Sequence, residues 1–148
     1  MAKQLLLKII TPEKLVFKEM VDQVSLPTTL GEITVLPEHI PLITALTSGD
    51  VVAVVAGEHI PMTVVGGFLE VKQDENKVTN VSVLADFAEH VGELSDDKIE
   101  KAKARADELK KQMENKDHVD YEHFVTELER SLTRVRIADK WRNKKYRK

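Results

Sequence analysis

The stretch VTNVSVLADFAEHVGELSDDKIEKAKARADELKKQMEN, residues 78–115, contains the change of pattern that decides the fold. Up to Ala88 the apolar residues form short runs rich in β-branched side chains, as in VTNVSVLA, which favours β-strands. From Ser95 onward the apolar residues recur every three or four positions, which is the period of an amphipathic helix. The chain therefore divides into a β part, residues 1–88, and a helical part, residues 89–148.

The β part contains about eight short strand-like runs separated by turn signals, at a spacing of about 8–12 residues. The runs are LLLKII, LVFK, VDQVSL, EITVL, VVAVVA, IPMTVV, FLEVK and VTNVSVLA. Because no long helical pattern interrupts them, a sheet of βαβ units is not expected. The pattern predicts an antiparallel β-sandwich or flattened barrel. Gly66 and Gly67, between two runs, predict a bulge or bend where another backbone packs closely.

The helical part predicts two helices joined by a short connector, an antiparallel hairpin. The first has Ser95 as its N-cap and a narrow apolar stripe of Ile99, Ala102, Ala106, Leu109 and Met113. The second runs from about Val119 to about Lys140, with Tyr121, Phe124, Leu128, Leu132 and Val135 on one face. Alanines in the first stripe bury little apolar area, so the hairpin needs support from the β part or from a partner. The fold class is α+β, mainly β in its N-terminal part.

Composition excludes several classes of function. The chain has 148 residues and no cysteine, which rules out disulfides, thiolate catalysis and zinc–thiolate sites. No apolar run approaches the roughly 20 residues that span a bilayer. The N-terminal residues lack the features of a secretory signal, so a cytoplasmic location is expected.

Charge is distributed unevenly along the chain. Residues 1–88 carry 6 basic and 11 acidic residues, whereas the last ten residues carry 6 basic and 1 acidic. Such a tail favours an acidic protein surface as its partner, with an anionic membrane or nucleic acid as alternatives. Trp141 and Tyr146 would need an exposed platform to stack on bases, so nucleic-acid binding is not expected.

The five histidines do not predict a metal site or a catalytic centre. They are His39, His59, His90, His118 and His123, and no two are spaced to share a helix face or a strand face. His39 lies between Pro37 and Pro41, in LPEHIP, without a nucleophile arrangement nearby in the sequence. We expect it to be a turn residue that hydrogen-bonds backbone carbonyls, or a contact residue at an interface.

Two motifs resemble the signatures of one family. GEITVLPEHIPLITALTSGDVVAV, residues 31–54, and VVGGFLEVKQDENKVTNVSVLADFAEH, residues 64–90, are similar to those of the epsilon subunit of F-type ATP synthases. HVDYEHFVTELERSLTRVRI, residues 118–137, resembles that family's second C-terminal helix. The likeness covers nearly the whole chain, in the same order.

The resemblance implies a non-catalytic subunit of the rotor of a proton-translocating enzyme. Its β domain would couple the gamma subunit to the ring of c subunits, and its hairpin would move to restrain ATP hydrolysis by the alpha and beta subunits. The protein would then lie at the cytoplasmic face of the cell membrane, attached peripherally through the complex. Two alternatives stay open at this point. The chain could be a β-sandwich adaptor of another assembly with the hairpin as a docking arm, or a small enzyme or metal-binding barrel that uses His39 and His59.

The resemblance also assigns roles to residues. The contacts with the c ring and gamma would come from Gly31, Glu32, Pro37, Glu38, His39 and Pro41. Inhibitory docking on acidic groups would use Arg130, Arg134, Arg136, Lys140, Arg142 and Lys144. The positions that match ATP-binding members are Glu89, Leu94, Arg105, Arg130 and Arg134. Ser95, Lys98 and Ile99 depart from the family's ATP motif, so no cofactor is expected and ATP as a regulatory ligand is doubtful.

Overall fold

The structure is a computed structural model that describes residues 3–114 and 121–147. In these ranges the chain forms ten strands, a short 3-10 helix at Val91–Glu93 and two α-helices. The strands are β1 Leu5–Ile10, β2 Leu15–Val21, β3 Gln23–Thr28, β4 Gly31–Val35, β5 Leu42–Ala45, β6 Gly49–Val55, β7 Glu58–Val65, β8 Phe68–Gln73, β9 Thr79–Leu84 and β10 Phe87–His90. The helices are α1 Asp96–Glu114 and α2 Tyr121–Trp141.

The strands form two five-stranded sheets packed face to face. The first sheet has the order β2-β1-β9-β8-β5 and the second the order β10-β7-β6-β3-β4. All neighbouring strands are antiparallel except β1 and β9, which pair in parallel. The predicted antiparallel sandwich followed by two helices is thus confirmed, as two separate sheets rather than a closed barrel.

The core between the sheets follows from alternation along the strands. In β1 the side chains of Leu5, Leu7 and Ile9 are fully buried, while the intervening residues face outward. A side-chain period of two places every second residue on the same face, so this pattern buries one face of each sheet. The buried cluster consists of residues from the sandwich, and α1 and α2 contribute nothing to it. The sandwich therefore has a core that is independent of the helices.

Gly66 and Gly67 form the predicted bend between β7 and β8. Both have positive φ angles, 65° and 107°. A Cβ atom on Gly67 would lie 2.0 Å from the carbonyl oxygen of Leu84, so only glycine fits this close approach of two backbones.

Two strands, β5 and β10, were missed in the sequence. Each has only four residues, too few to show a period of two against the flanking turns. β10 continues to His90, so the sandwich extends slightly past the expected division between residues 88 and 89.

The helices confirm the predicted stripe of α1 and correct that of α2. Ile99, Ala102, Ala106 and Leu109 are buried on α1, whereas Met113, the last residue of the predicted stripe, is half-buried. Ser95 caps the helix by accepting a hydrogen bond from Lys98 N at 3.3 Å. On α2, by contrast, Leu132 is 40% exposed. The buried residues of α2 are Ser131, Thr133, Ile137, Ala138 and Trp141. The interpretation failed because α2 packs against both α1 and the sandwich, so it buries two faces rather than one. The predicted start at Val119 and the side chain of Tyr121 lie outside the described residues.

Replacing Gly67 by alanine should destabilise the sandwich by about 3 kcal/mol or more, because the new Cβ would clash with Leu84 while the backbone stays at positive φ. Gly57→Ala is the matched control. Gly57 also has a positive φ, 81°, but a Cβ there meets no atom within 4 Å, so a loss of only about 1 kcal/mol is expected. Urea unfolding of both variants measures the difference. Equal losses would contradict the role assigned to the close backbone approach.

Candidate functional site

The hairpin rests on a polar row across the second sheet. Asp50 of β6 and Glu89 of β10 each pair with Thr63 of β7, so the three side chains lie side by side on the outer face. All three are largely covered, with Asp50 8% and Thr63 0% exposed and the Glu89 side chain 10% exposed. Within the described part of the chain the Thr63 hydroxyl has no hydrogen-bond partner. We call these three residues the hairpin seat.

Cations of the helices neutralise the two carboxylates of the seat. Arg134 Nε lies 3.0 Å from Glu89 Oε2, and Lys98 Nζ lies 3.6 Å from Glu89 Oε1. Lys140 Nζ lies 2.9 Å from Asp50 Oδ2, and Trp141 Nε1 donates to the same oxygen at 2.8 Å. Charged hydrogen bonds are among the strongest, yet each pair also loses hydration when it forms. The seat thus fixes the position of the hairpin without supplying a large net stability.

Apolar contact between hairpin and sandwich is small. A separate cluster consists of Val91, Ile137 and Trp141, with Val52 and Tyr146 packed against it. This cluster is distinct from the sandwich core. Since apolar burial contributes about 25 cal/mol per Å², a contact of this size holds the hairpin far less firmly than the core holds the sheets together.

Most of the residues predicted for inhibitory docking contact the sandwich or the tail in this structure. Arg134 and Lys140 pair with the seat, while Arg136 donates to the Ser48 carbonyl at 3.0 Å. The guanidinium groups of Arg130 and Arg134 lie 5.2 and 4.7 Å from the centre of the Phe87 ring. Arg142, directly after α2, pairs with Asp139 of that helix, and Lys144 lies over the Trp141 ring. Docking on another subunit would therefore require most of these groups to exchange partners.

Four of the five residues predicted for ATP binding line one cleft between α1, α2 and the sandwich. The cleft has a volume of about 440 Å³, and its lining includes Glu89, Arg105, Arg130 and Arg134. Leu94 does not belong to the described lining; it lies between the 3-10 helix and α1, where its N–H donates to Val91 O. The structure thus brings together the charged residues of the set but not Leu94.

Carboxylates already pair with Arg105, Arg134 and Lys98 of this cleft, whereas the buried Nε of Arg130 has no hydrogen-bond partner within the described residues. Arg105 forms two hydrogen bonds with Glu127, at 2.7 and 3.0 Å. This pairing raises the pKa of Arg105 and lowers the pKa of Glu127. Glu89 likewise holds Arg134. An anionic ligand would have to displace or approach these carboxylates, which opposes its binding.

The loop with the two prolines is a tight turn. His39 N donates to Leu36 O at 3.1 Å, and His39 Nδ1 donates to Ile40 O at 2.7 Å, as expected for a turn histidine. Glu38 has a φ of 73°, the left-handed region in which glycine is favoured, and its N–H donates to Thr79 Oγ1 at 2.7 Å. Its carboxylate pairs with Lys3. Gly31 and Glu32 are exposed in β4, and Pro41 is exposed at the end of the loop.

An exposed apolar row on the first sheet was not predicted. Successive strand pairings join Ala45, Phe68, Leu84, Ile10 and Leu15 across all five strands on the outer face. Phe68, Leu84 and Leu15 are 60%, 54% and 53% exposed. A continuous exposed apolar patch is typical of an interaction surface. The sequence does carry a signal for this row, because Phe68 and Leu84 alternate with the buried Leu69 and Val83.

Other sites find no support in the described ranges. No three His, Asp or Glu side chains among residues 3–114 and 121–147 cluster so that they could hold a metal ion. His39 and His59 lie in different parts of the sandwich, and His118 is outside the described residues. Neither α1 nor the described α2 combines the length and apolarity needed to cross a bilayer.

Comparison with known proteins identifies the family. Residues 4–91 match the family described as ATP synthase, Delta/Epsilon chain, beta-sandwich domain. The chain is 42% identical over 137 residues to an ATP synthase epsilon chain of Nitratidesulfovibrio vulgaris, covering 93% of this chain and 97% of that relative. It belongs to the ATP synthase epsilon-chain family. A Dehalococcoides mccartyi epsilon chain is 40% identical, with 96% of each chain covered.

Solved structures share the epsilon-chain fold. A chain in the cryo-EM structure of the Euglena gracilis mitochondrial ATP synthase, comprising OSCP, F1 and the c ring, superposes with a TM-score of 0.65. The match is 21% identical and covers 85% of this chain and 76% of that one. A chain of the Tetrahymena thermophila central stalk and c ring gives a TM-score of 0.50 at 15% identity, covering 95% and 98%. At these identities the likeness concerns the fold.

Replacing Glu89 by glutamine should weaken the seating of the hairpin by about 1–2 kcal/mol, since the uncharged amide leaves Arg134 and Lys98 without their carboxylate. Glu100→Gln is the matched control, because Glu100 is exposed and its ion pair with Lys103 is long, at 3.9 Å. This variant should lose less than about 0.5 kcal/mol of stability. Urea titration followed by Trp141 fluorescence measures both. A Glu89 variant as stable as the control would show that the ion pairs of the seat do not stabilise the hairpin on the sandwich.

Proposed function

We propose that this chain is a non-catalytic central-stalk subunit of a proton-translocating ATP synthase, which couples gamma to the c ring and restrains ATP hydrolysis through its hairpin. The family membership supports the assembly. One structural observation carries the regulatory part: the hairpin lies on the sandwich through a few ion pairs and a small apolar cluster, outside the sandwich core. Because the two cores are separate, the hairpin can leave while the sandwich stays folded and docked.

The sandwich offers two surfaces for the rest of the rotor. The apolar row on the first sheet is the better match for gamma, since burying Phe68, Leu84 and Leu15 on a protein partner removes exposed apolar area. The turn from Gly31 to Pro41 suits a contact with the c ring and gamma. Its exposed apolar residues Leu36 and Ile40 flank the acidic Glu38, and its backbone is already held by hydrogen bonds.

The hairpin surface that meets the seat is the surface that would dock on the catalytic head. Arg134 and Lys140 satisfy their charges with Glu89 and Asp50 in the folded pose. Acidic groups on the alpha and beta subunits would take the place of these carboxylates, so the exchange conserves ion pairs and needs only a modest free-energy difference. Arg130, Arg136, Arg142 and Lys144 would extend the same contact.

We infer that ATP is at best a weak regulatory ligand of this chain. In the cleft Arg105 and Arg134 are paired with Glu127 and Glu89, and Lys98 stands where ATP-binding members have a planar guanidinium. The protein would work at the cytoplasmic face of the cell membrane, held there by the complex.

Truncation after Leu94 tests the regulatory role. This boundary keeps β10 and the 3-10 helix, so the sandwich should still fold and enter the ATP synthase complex. ATP hydrolysis by the complex should rise relative to the complex that contains the full chain, because the inhibitory hairpin is gone. Hydrolysis that stays unchanged in a fully assembled complex would contradict inhibition. Loss of assembly would contradict docking through the sandwich.

A further inference from the structure

The chain does not end at α2, and the residues after it return to the sandwich. Lys144 N donates to Trp141 O at 3.2 Å, which turns the tail back. Arg147 N then donates to His59 O on β7 at 2.8 Å. β10 pairs with β7 only from Met62 to Val65, so the tail reaches β7 beyond the end of that pairing. The tail thus covers backbone that β10 leaves unpaired.

The side chain of Arg147 reaches the other sheet. Its two terminal nitrogens donate to the two carboxylate oxygens of Glu19 on β2, at 2.9 and 2.5 Å. Glu19 pairs with the buried Leu7, so it lies on the inner face of the edge strand β2. The bidentate pair lowers the pKa of Glu19. Arg147 therefore bridges β7 of one sheet and β2 of the other.

The tail also packs against Trp141. The Tyr146 ring packs edge-on against the Trp141 ring, with centroids 6.0 Å apart, and the centroid of the His59 ring also lies 6.0 Å from that of Trp141. Lys144 Nζ lies 5.3 Å from the centre of the Trp141 ring. Trp141 is 5% exposed and donates to Asp50 of the hairpin seat. The tail consequently covers the residue that joins α2 to the seat.

We propose that residues 141–147 form a latch that holds the hairpin on the sandwich, with the Arg147–Glu19 pair as its closure. For α2 to leave the seat, Trp141 must move together with the tail that packs on it, and the tail can move only when Arg147 releases His59 and Glu19. The latch is a property of the folded chain and does not rest on the proposed function. Release of the hairpin from the sandwich therefore depends on the contact of Arg147 with Glu19 of β2, in the sheet opposite the one on which α2 lies.

Thiol labelling of the isolated full chain tests the latch. The chain has no cysteine, so Ala138→Cys places a single thiol on the buried face of α2, where Ala138 is 6% exposed. The rate of reaction with an aromatic disulfide reagent then reports how often the hairpin lifts. In a second background, Val81→Cys places the thiol in the sandwich core, where Val81 is 0% exposed, and reports opening of the sandwich.

Arg147→Ala and Glu19→Gln should each accelerate labelling of the thiol at position 138 by about two- to five-fold, the effect of losing one partly exposed bidentate pair. The two changes together should have no larger effect than either alone. Lys145→Ala is the matched control, since it removes an exposed basic residue of the same tail and should leave the rate unchanged. Acrylamide quenching of Trp141, the one tryptophan, should rise in the same variants.

Three outcomes would overturn the latch. Equal rates for Arg147→Ala and Lys145→Ala would show that the pair does not hold the hairpin. Effects of the two single variants that multiply in the double variant would show that Arg147 and Glu19 act separately. Parallel acceleration of the thiols at positions 138 and 81 would show that the tail stabilises the whole fold and not the hairpin in particular.

Discussion

The contact between α2 and the carboxylates of Asp50 and Glu89 determines how the two parts of this protein relate to each other. These groups are almost covered, so each needs a cation, and Arg134, Lys98 and Lys140 supply it from the hairpin. Ion pairs of this kind specify one geometry, but the cost of removing both charges from water offsets much of their attraction. A hairpin held in this way has a defined resting position but is bound there only weakly.

Because the core of the sandwich is separate from the apolar cluster under the hairpin, the weakly bound hairpin can detach without unfolding the sandwich. The sandwich buries the inner faces of its two sheets against each other, and its bend at Gly67 packs backbone against backbone without help from the helices. The apolar row on its first sheet and the turn around His39 are exposed while the hairpin is seated, so the proposed contacts with the rotor do not require the hairpin to leave. The proposed function would give the chain one permanent and one conditional attachment, and the proposed latch after Trp141 would add a restraint to the conditional one.

Local patterns in the sequence predicted the elements, whereas distant contacts were beyond them. Short runs rich in β-branched residues, separated by turn signals, identified most strands, and the three-four spacing with Ser95 as N-cap identified α1. The prediction of the buried face of α2 was wrong, because a helix that packs against both α1 and the sandwich does not show a single apolar stripe. The sequence predicted no functional role for Asp50, since its partners Lys140 and Trp141 lie about 90 residues away along the chain. Nothing local marks such a pair, although the resemblance to the family did bring together Glu89, Arg105, Arg130 and Arg134.

Native-state hydrogen exchange of the isolated chain tests most directly whether the hairpin opens on its own. Amides of α1 and α2, including those of Ala106 and Ile137, should share one opening free energy at least about 2 kcal/mol below that of β7 and β9. That opening should also depend less on denaturant, because it exposes less surface than unfolding of the sandwich. A single opening free energy for helices and strands, with one denaturant dependence, would mean that hairpin and sandwich form one cooperative unit and would contradict the account.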